Sequence, residues 1–155
     1  MSGALAGPQQ SNPGMAEMTS ESILHDIPGG KALLEWFGRV PHFHDAEVLD
    51  IVLASQRPSI LRIHTWNMTN EVDAQGYFIL EKHAVVVITL EEATQVTLYN
   101  FDLPGIIGFL EITKNEAGYL FDWDASYGVA GTLQARRASF DLVPGKPQPA
   151  RASAG

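Results

Sequence analysis

The sequence contains no cysteine among its 155 residues. This absence excludes a disulfide framework, a thiolate zinc site and a cysteine nucleophile. Long apolar runs are also missing, since the longest extends only from Ala84 to Leu90, far short of the roughly 20 residues that a membrane-spanning helix needs. Residues 1–13 lack the cationic segment and apolar run of a secretory signal. From these absences we expect a cytoplasmic protein.

Basic residues are scarce relative to acidic ones. Ten lysines and arginines face 18 aspartates and glutamates, which leaves a formal net charge of −8. An excess of this sign repels nucleic-acid phosphates and anionic membrane surfaces, so the sequence argues against both as partners. If the partner is a protein, we expect a basic one.

Both ends of the chain are rich in small and polar residues without hydrophobic periodicity. We predict disordered tails over residues 1–18 and 145–155, because such segments bury too little surface to offset the entropy of ordering them. The remaining residues, 19–144, suffice for a single globular domain. With 45% hydrophobic and 18% charged residues overall, the composition is that of a globular protein.

Two short helices are predicted near the N-terminus. Ser20 or Ser22 can cap the first, and an apolar stripe from Leu33 to Phe37 forms the second, with Gly38 placed to end it. Beyond Pro41 the hydrophobic period changes from helical spacing to two, which is typical of strands.

The rest of the domain reads as a series of short strands. The last of them carries an expected bulge near Arg136 and Arg137. We predict a mainly β protein of the α+β class: an antiparallel β-sandwich or a strongly curled sheet of about seven or eight strands, with one or two short N-terminal helices. The clearest strand segments are residues 84–90, 95–101, 106–112, 119–123 and 129–143.

A polar cluster from His42 to Glu47 supports one chemical hypothesis. Imidazole and carboxylate groups suit transition metals, and residues two apart on a strand share a face. A divalent transition metal site, in a metal-binding domain or a metal-dependent enzyme, would use His42, His44 and Glu47, with His64 or His83 completing it. An extended strand, however, would place Asp45 and Glu47 on the opposite face from the two histidines. A helical turn would instead bring His44 and Glu47 together, at positions i and i+3.

The same cluster also supports an architectural interpretation. Asp45 and Glu47 would lie at the edge of the core and accept backbone N–H groups at the corner between helix and strand, with His44 orienting them. No nucleophile motif occurs in the sequence. The pattern therefore favours a protein that acts by binding, without a catalytic residue or cofactor.

Further acidic residues are candidates for contact with a partner. Asp122 and Asp124 share the polar face of one predicted strand, and Glu91 and Glu92 follow another. Clustered carboxylates accelerate association with basic proteins. Alternatively, they form a solvated face that keeps the protein soluble. Exposed strand edges could in addition support a homo-oligomer.

The segment from Trp36 to Val48 contains Trp-Phe-Gly, a short gap and then Phe-His-Asp-Ala-Glu. This string resembles the opening signature of a bacterial family, immunity protein 50. The later stretches from Leu98 to Phe101 and from Tyr127 to Pro147 are similar to the order in such domains. The resemblance marks six residues as family positions only and assigns them no catalytic role: Trp36, Phe37, Phe43, His44, Asp45 and Glu47.

What the resemblance implies for function agrees with the charge. It implies a small, mostly β bacterial protein that binds and neutralises a toxin effector. Our expectation from the sequence is therefore a non-enzymatic binding protein with a basic partner, and the metal site is the alternative.

Overall fold

The computed structural model describes residues 18–148. The tails predicted for residues 1–18 and 145–155 fall mostly outside this range. At the C-terminal side the fold continues to Gly145, whose N–H donates to the carbonyl of His83 at 2.7 Å.

Within residues 18–148, two helices precede six strands. The helices are seven and eight residues long, and within residues 18–148 no helix combines the length and apolar character needed to cross a bilayer. The elements in chain order are α1 (Ser20–Asp26), α2 (Gly30–Phe37), β1 (Glu47–Val52), β2 (Ser59–Val72), β3 (Phe78–Tyr99), β4 (Gly105–Asn115), β5 (Gly118–Tyr127) and β6 (Ala130–Pro144).

The helix ends follow local chemistry. Helix α1 is capped by Thr19, whose hydroxyl accepts the N–H of Ser22 at 3.1 Å; neither Ser20 nor Ser22 is the cap. Helix α2 ends at Gly38 as predicted. This glycine takes a left-handed conformation with φ 73° and donates its N–H to Leu34, a conformation that glycine adopts at little cost.

All six strands pair antiparallel in one closed sheet, in the order β1-β2-β3-β6-β5-β4. Closure is made by β1 and β4, where Glu47 pairs with Ile106 and Val48 with Gly105. Side chains alternate across the strands, so Phe121 and Trp123 are buried while the intervening Asp122 is exposed, as the sequence predicted.

The mainly β class, the antiparallel sheet and the two short helices are confirmed. The described part of the chain has six strands instead of seven or eight, because residues 84–90 and 95–101 belong to one long strand, β3. An irregularity between Ala93 and Gln95 lets β3 continue to pair with β6 on both sides of it. The bulge predicted near Arg136 and Arg137 thus lies on the strand facing them.

Strands β2 and β3 extend beyond their other neighbours. Strand β1 pairs with β2 only as far as His64, and β6 pairs with β3 only as far as Ala84. Residues 66–83, which we call the hairpin, therefore project from the closed sheet. The hairpin exposes six large hydrophobic side chains, those of Met68, Val72, Tyr77, Phe78, Ile79 and Leu80.

Candidate functional site

Glu47 of the polar cluster begins β1, and His42 to Asp45 lie in the loop before it, residues 40–46, which we call the motif loop. It is neither an extended strand nor a helical turn. Its backbone hydrogen-bonds to β4: Asp45 N–H donates to the carbonyl of Ile107 at 2.8 Å, and Leu110 N–H donates to the carbonyl of His42 at 3.1 Å. The chain that precedes Glu47 consequently runs along β4 and separates from β2.

Two residues of the motif loop have left-handed backbone conformations. Phe43 has φ 61° and Asp45 has φ 66°, each of which costs on the order of 1 kcal/mol for a residue other than glycine. The Phe43 side chain is only 3% exposed, so its burial stabilises the loop in this conformation. His44, between the two, is directed outward.

The two histidines of the loop are held by contacts with β4. His44 Nδ1 lies 2.7 Å from the carbonyl oxygen of Gly108. Because a carbonyl only accepts, Nδ1 carries the proton, and the second ring nitrogen, Nε2, lies 3.6 Å from Asp45 Oδ2. The His44 side chain is 73% exposed. The His42 ring stacks on Phe109 with centroids 4.8 Å apart.

A groove separates the motif loop from β2, and we call it the loop groove. It consists of two depressions of about 260 Å³ and 490 Å³. The depressions are adjacent, because both are lined by Arg39, His44, Trp66 and Asn67. The groove exists because the chain leaves β2 at Glu47 and turns towards β4.

Helix α2 supports the base of the hairpin. Trp36 Nε1–H donates to the carbonyl of Lys82 at 3.0 Å, and the Lys82 ammonium lies 4.6 Å from the centre of the Trp36 ring. Asn67 donates its side-chain amide to the carbonyl of Phe37 at 3.0 Å and accepts from Arg39 at 3.1 Å. Trp36 and Phe37, two of the residues that carry the resemblance to immunity protein 50, thus position the hairpin; Phe37 itself is buried.

A hydrogen-bonded chain of side chains links the first three strands. Glu47 Oε1 accepts from His64 Nδ1 at 2.8 Å, and His64 Nε2 lies 3.0 Å from His83 Nδ1. The Trp66 ring packs against both imidazoles. Glu47 therefore binds a histidine, in contrast to the architectural interpretation, in which it accepts backbone N–H groups.

The surroundings of His83 disfavour its charged form. Burial is the main reason that the pKa of His83 is lowered from its ordinary value, and the His64 ring and the Lys146 ammonium lower it further. A neutral His83 is thereby favoured at the base of the hairpin.

The residues of the metal hypothesis do not converge on one point. His42 and His44 belong to the exposed loop, whereas Glu47 and His64 are bonded to each other on the strands. Both ring nitrogens of His64 are engaged by hydrogen bonds. Within the part of the chain that the structure describes, no group of three or more His, Asp or Glu side chains is arranged to hold a metal ion.

The four acidic candidates separate into two places. Glu91 and Glu92 form ion pairs with Arg137, at 3.1 Å and 2.6 Å, and Glu92 also pairs with Arg136 at 3.5 Å. Their charges are thus locally balanced. Asp122 and Asp124 lie on β5, away from these arginines along the ladder that joins β5 to β6.

Strand β4 adds a third carboxylate beside Asp122 and Asp124. Glu111 pairs directly with Asp122, and Asp124 pairs with Phe109, whose N–H it accepts at 2.8 Å. We call Glu111, Asp122 and Asp124 the acidic face. All three are exposed, and none of the ion pairs among residues 18–148 includes them.

Several residues of the site carried no signal in the sequence. Trp66 and Asn67 are ordinary residues of a strand, and they line the groove only because β2 extends beyond the end of its pairing with β1. Glu111 joins the acidic face through its pairing with Asp122, a contact between strands that the spacing along the chain does not reveal. Phe109 was the one local signal in the sequence, because an apolar residue on the polar face of a strand indicates a candidate contact residue.

Comparisons of this chain with protein-family models, with curated proteins and with solved structures find no match.

Proposed function

We propose that this chain is a non-enzymatic binding protein whose acidic surface binds a basic protein. The resemblance to immunity protein 50 suggests a toxin effector as that partner. The proposal rests on the acidic face and on its continuity with the loop groove.

The placement of Glu111 opposite Asp122 is the observation that carries the proposal. Like charges directly opposite each other on neighbouring strands destabilise a sheet by a few tenths of a kcal/mol. A sequence that keeps such a pair gains something other than stability from it, and departures of this kind occur at functional sites. A basic partner would remove the repulsion on binding.

The acidic face and the loop groove share a border. Phe109 lies opposite Asp124 on the ladder and also lines the smaller depression of the groove. Its side chain is 45% exposed and is stacked on His42. Exposed aromatic rings beside charged groups are typical of protein interfaces, where rings provide contact area and charges select the partner.

The proposal is tested by comparative capture. The purified protein and a triple variant, Glu111→Gln, Asp122→Asn and Asp124→Asn, are each exposed to a lysate of the source organism at low salt. Asn at position 124 still offers an oxygen to Phe109 N–H, so the fold is retained. We expect basic proteins to bind the unmodified chain, and the purified partner to bind the triple variant about tenfold more weakly.

A second triple variant controls for net charge. Glu35→Gln, Glu116→Gln and Asp141→Asn change the same number of exposed carboxylates at positions outside the acidic face. We expect this control to bind the partner within about twofold of the unmodified chain. Equal binding by all three proteins, or capture of no basic protein, would contradict the proposal.

A further inference from the structure

The edge of β2 that faces the loop groove is open. Strand β1 stops pairing at Glu47 opposite His64, and the preceding residues turn to β4. Within residues 18–148, β2 beyond Thr65 pairs with β3 at Asn67, Met68 and Val72, with irregularities before Asn67 and between Met68 and Val72, and it has no strand on the other side. Backbone N–H and C=O groups at such an edge are available to an additional strand.

The loop groove lies where that strand would be. Its larger depression, of about 490 Å³, is bounded by His44 and Asp45 on one side and by Trp66 to Thr69 on the other. A strand paired with β2 occupies a position about 4.8 Å from it. The gap is thus on the side of β2 where a neighbouring chain would form the next ladder.

Charge around the groove favours one kind of segment. Asp45 and Glu81 line it, and Glu71 and Asp73 lie further along the hairpin. Two cations are also near: Arg39, which lines the groove and is hydrogen-bonded to the neutral amide of Asn67, and Lys82, whose ammonium lies over Trp36. The four carboxylates outnumber them, so the local charge is negative. Basic side chains of an incoming segment would meet carboxylates here.

Apolar side chains accompany these carboxylates. Met68 is 49% exposed and Val72 is 54% exposed on β2 itself. Side chains alternate along a strand, so a segment that alternates basic with apolar residues would direct one set towards the acids and the other towards the exposed hydrophobic residues.

We propose that an extended basic segment of the protein partner binds as an added antiparallel strand along β2 between Trp66 and Val72, in the loop groove. This inference rests on the proposed function and specifies how its partner is held. Main-chain hydrogen bonds supply the general attachment, and Asp45, Glu81 and Met68 select the sequence.

Synthetic peptides test this mode without altering the protein. The probe is a peptide of about nine residues that alternates lysine and valine, long enough to follow the open edge. A second peptide has the same sequence with N-methyl groups on alternate residues, which removes the backbone donors along one edge. A third replaces each lysine with glutamate. Binding is measured by NMR shifts of the backbone amides during titration.

We expect the lysine peptide to shift amides of residues 66–72 together with that of His44, and to protect those amides among residues 66–72 whose N–H groups point to the open edge. The N-methylated peptide and the glutamate peptide should each bind at least about tenfold more weakly, because each lacks one of the two interactions. Asp45→Asn with Glu81→Gln should weaken binding of the lysine peptide, whereas the matched pair Glu116→Gln with Asp141→Asn should not.

Three results would overturn the inference. They are shifts confined to the acidic face, indifference to N-methylation, and shifts at residues 66–72 that depend on protein concentration alone, which would indicate a second copy of this chain at the edge. The proposed function is judged separately: a captured basic partner that leaves residues 66–72 unprotected refutes the added strand and retains the binding function.

Discussion

At the scale of single residues, the motif loop combines backbone strain with exposure. Phe43 and Asp45 both adopt left-handed conformations, yet only Phe43 is buried. Burial of the phenylalanine ring, worth about 2 kcal/mol or more, offsets the strain at its own position. Asp45 has no such burial, because its side chain is 49% exposed. Its conformation thus places a carboxylate in the groove at a cost in stability.

Replacement of Asp45 separates these two effects. Asp45→Gly relieves the strain, whereas Asp45→Ala retains it, so we expect the glycine variant to be more stable than the alanine variant by about 1 kcal/mol. Both lack the carboxylate and should bind a basic partner equally weakly. Chemical denaturation and titration of the lysine peptide measure the two properties. Equal stabilities would show that the left-handed conformation is not maintained.

His83 gives stability a pH dependence. Because burial lowers the pKa of His83, the unfolded chain binds a proton there more readily than the folded one. Its contribution to stability is full above the unfolded pKa of about 6.5 and is lost as the pH falls through the lower folded pKa.

We expect the melting temperature of the unmodified protein to fall as the pH is lowered from about 7.5 to about 5.5. The melting temperature of the His83→Gln variant should fall less over the same range. Thermal unfolding followed by circular dichroism checks this. His25→Gln is the matched control, since His25 is exposed on α1. Parallel pH profiles for the unmodified protein and the His83 variant would contradict the expected role of burial.

At the scale of elements, α2 connects the core to the hairpin. Its buried face includes Leu33 and Phe37, and Trp36 contacts the backbone and ammonium of Lys82. The helix therefore fixes the direction in which the hairpin leaves the sheet. The hairpin in turn forms one wall of the loop groove.

Loss of the Trp36 ring should loosen the hairpin selectively. We expect Trp36→Ala to lower the free energy of unfolding by about 2 kcal/mol, since a half-buried ring and its hydrogen bond are removed. Hydrogen exchange should accelerate most over residues 66–83. Gly38→Ala provides the comparison: strain at its left-handed position should cost about 1 kcal/mol, without a selective effect on the hairpin. Uniform acceleration in both variants would refute this role of α2.

How far the sequence predicts these elements depends on whether their determinants are local. Helix α2 and its end at Gly38 were predictable, because an apolar stripe and a terminal glycine lie within a few residues. That β3 is a single strand was not predictable. The segment around Ala93 resembles a turn in the sequence, and only the pairing with β6 on both sides of the irregularity shows that the strand continues. The conformation of the motif loop could not be predicted either, since its partner strand β4 lies some 60 residues further along the chain.

At the scale of the whole molecule, charge is unevenly balanced. Eight negative charges remain in excess over the chain, and ion pairs neutralise some carboxylates, such as Glu91 and Glu92. The acidic face is outside these pairs within residues 18–148. The acidic face and the negative net charge are thus both complementary to the basic protein that we propose as the partner. The net charge alone would not have located the acidic face.

Repulsion on the acidic face should be visible in stability. We expect Glu111→Gln to raise the free energy of unfolding by about 0.5 kcal/mol at low ionic strength, because the charge opposite Asp122 is removed. Salt should reduce this gain. Urea denaturation at two salt concentrations measures it, and Glu116→Gln serves as the control. A destabilised Glu111 variant would show that the carboxylate has a favourable partner.

The central claim, recognition of a basic protein by the acidic surface, is tested most directly by the salt dependence of affinity. The dissociation constant of the captured partner is measured from about 50 mM to 500 mM salt, over which the Debye length shortens from about 14 Å to about 4 Å. We predict that affinity for the unmodified chain falls steeply with salt and that the acidic-face triple variant shows a much shallower fall. Affinity that is unaffected by salt, or slopes that are equal for the two proteins, would contradict the claim.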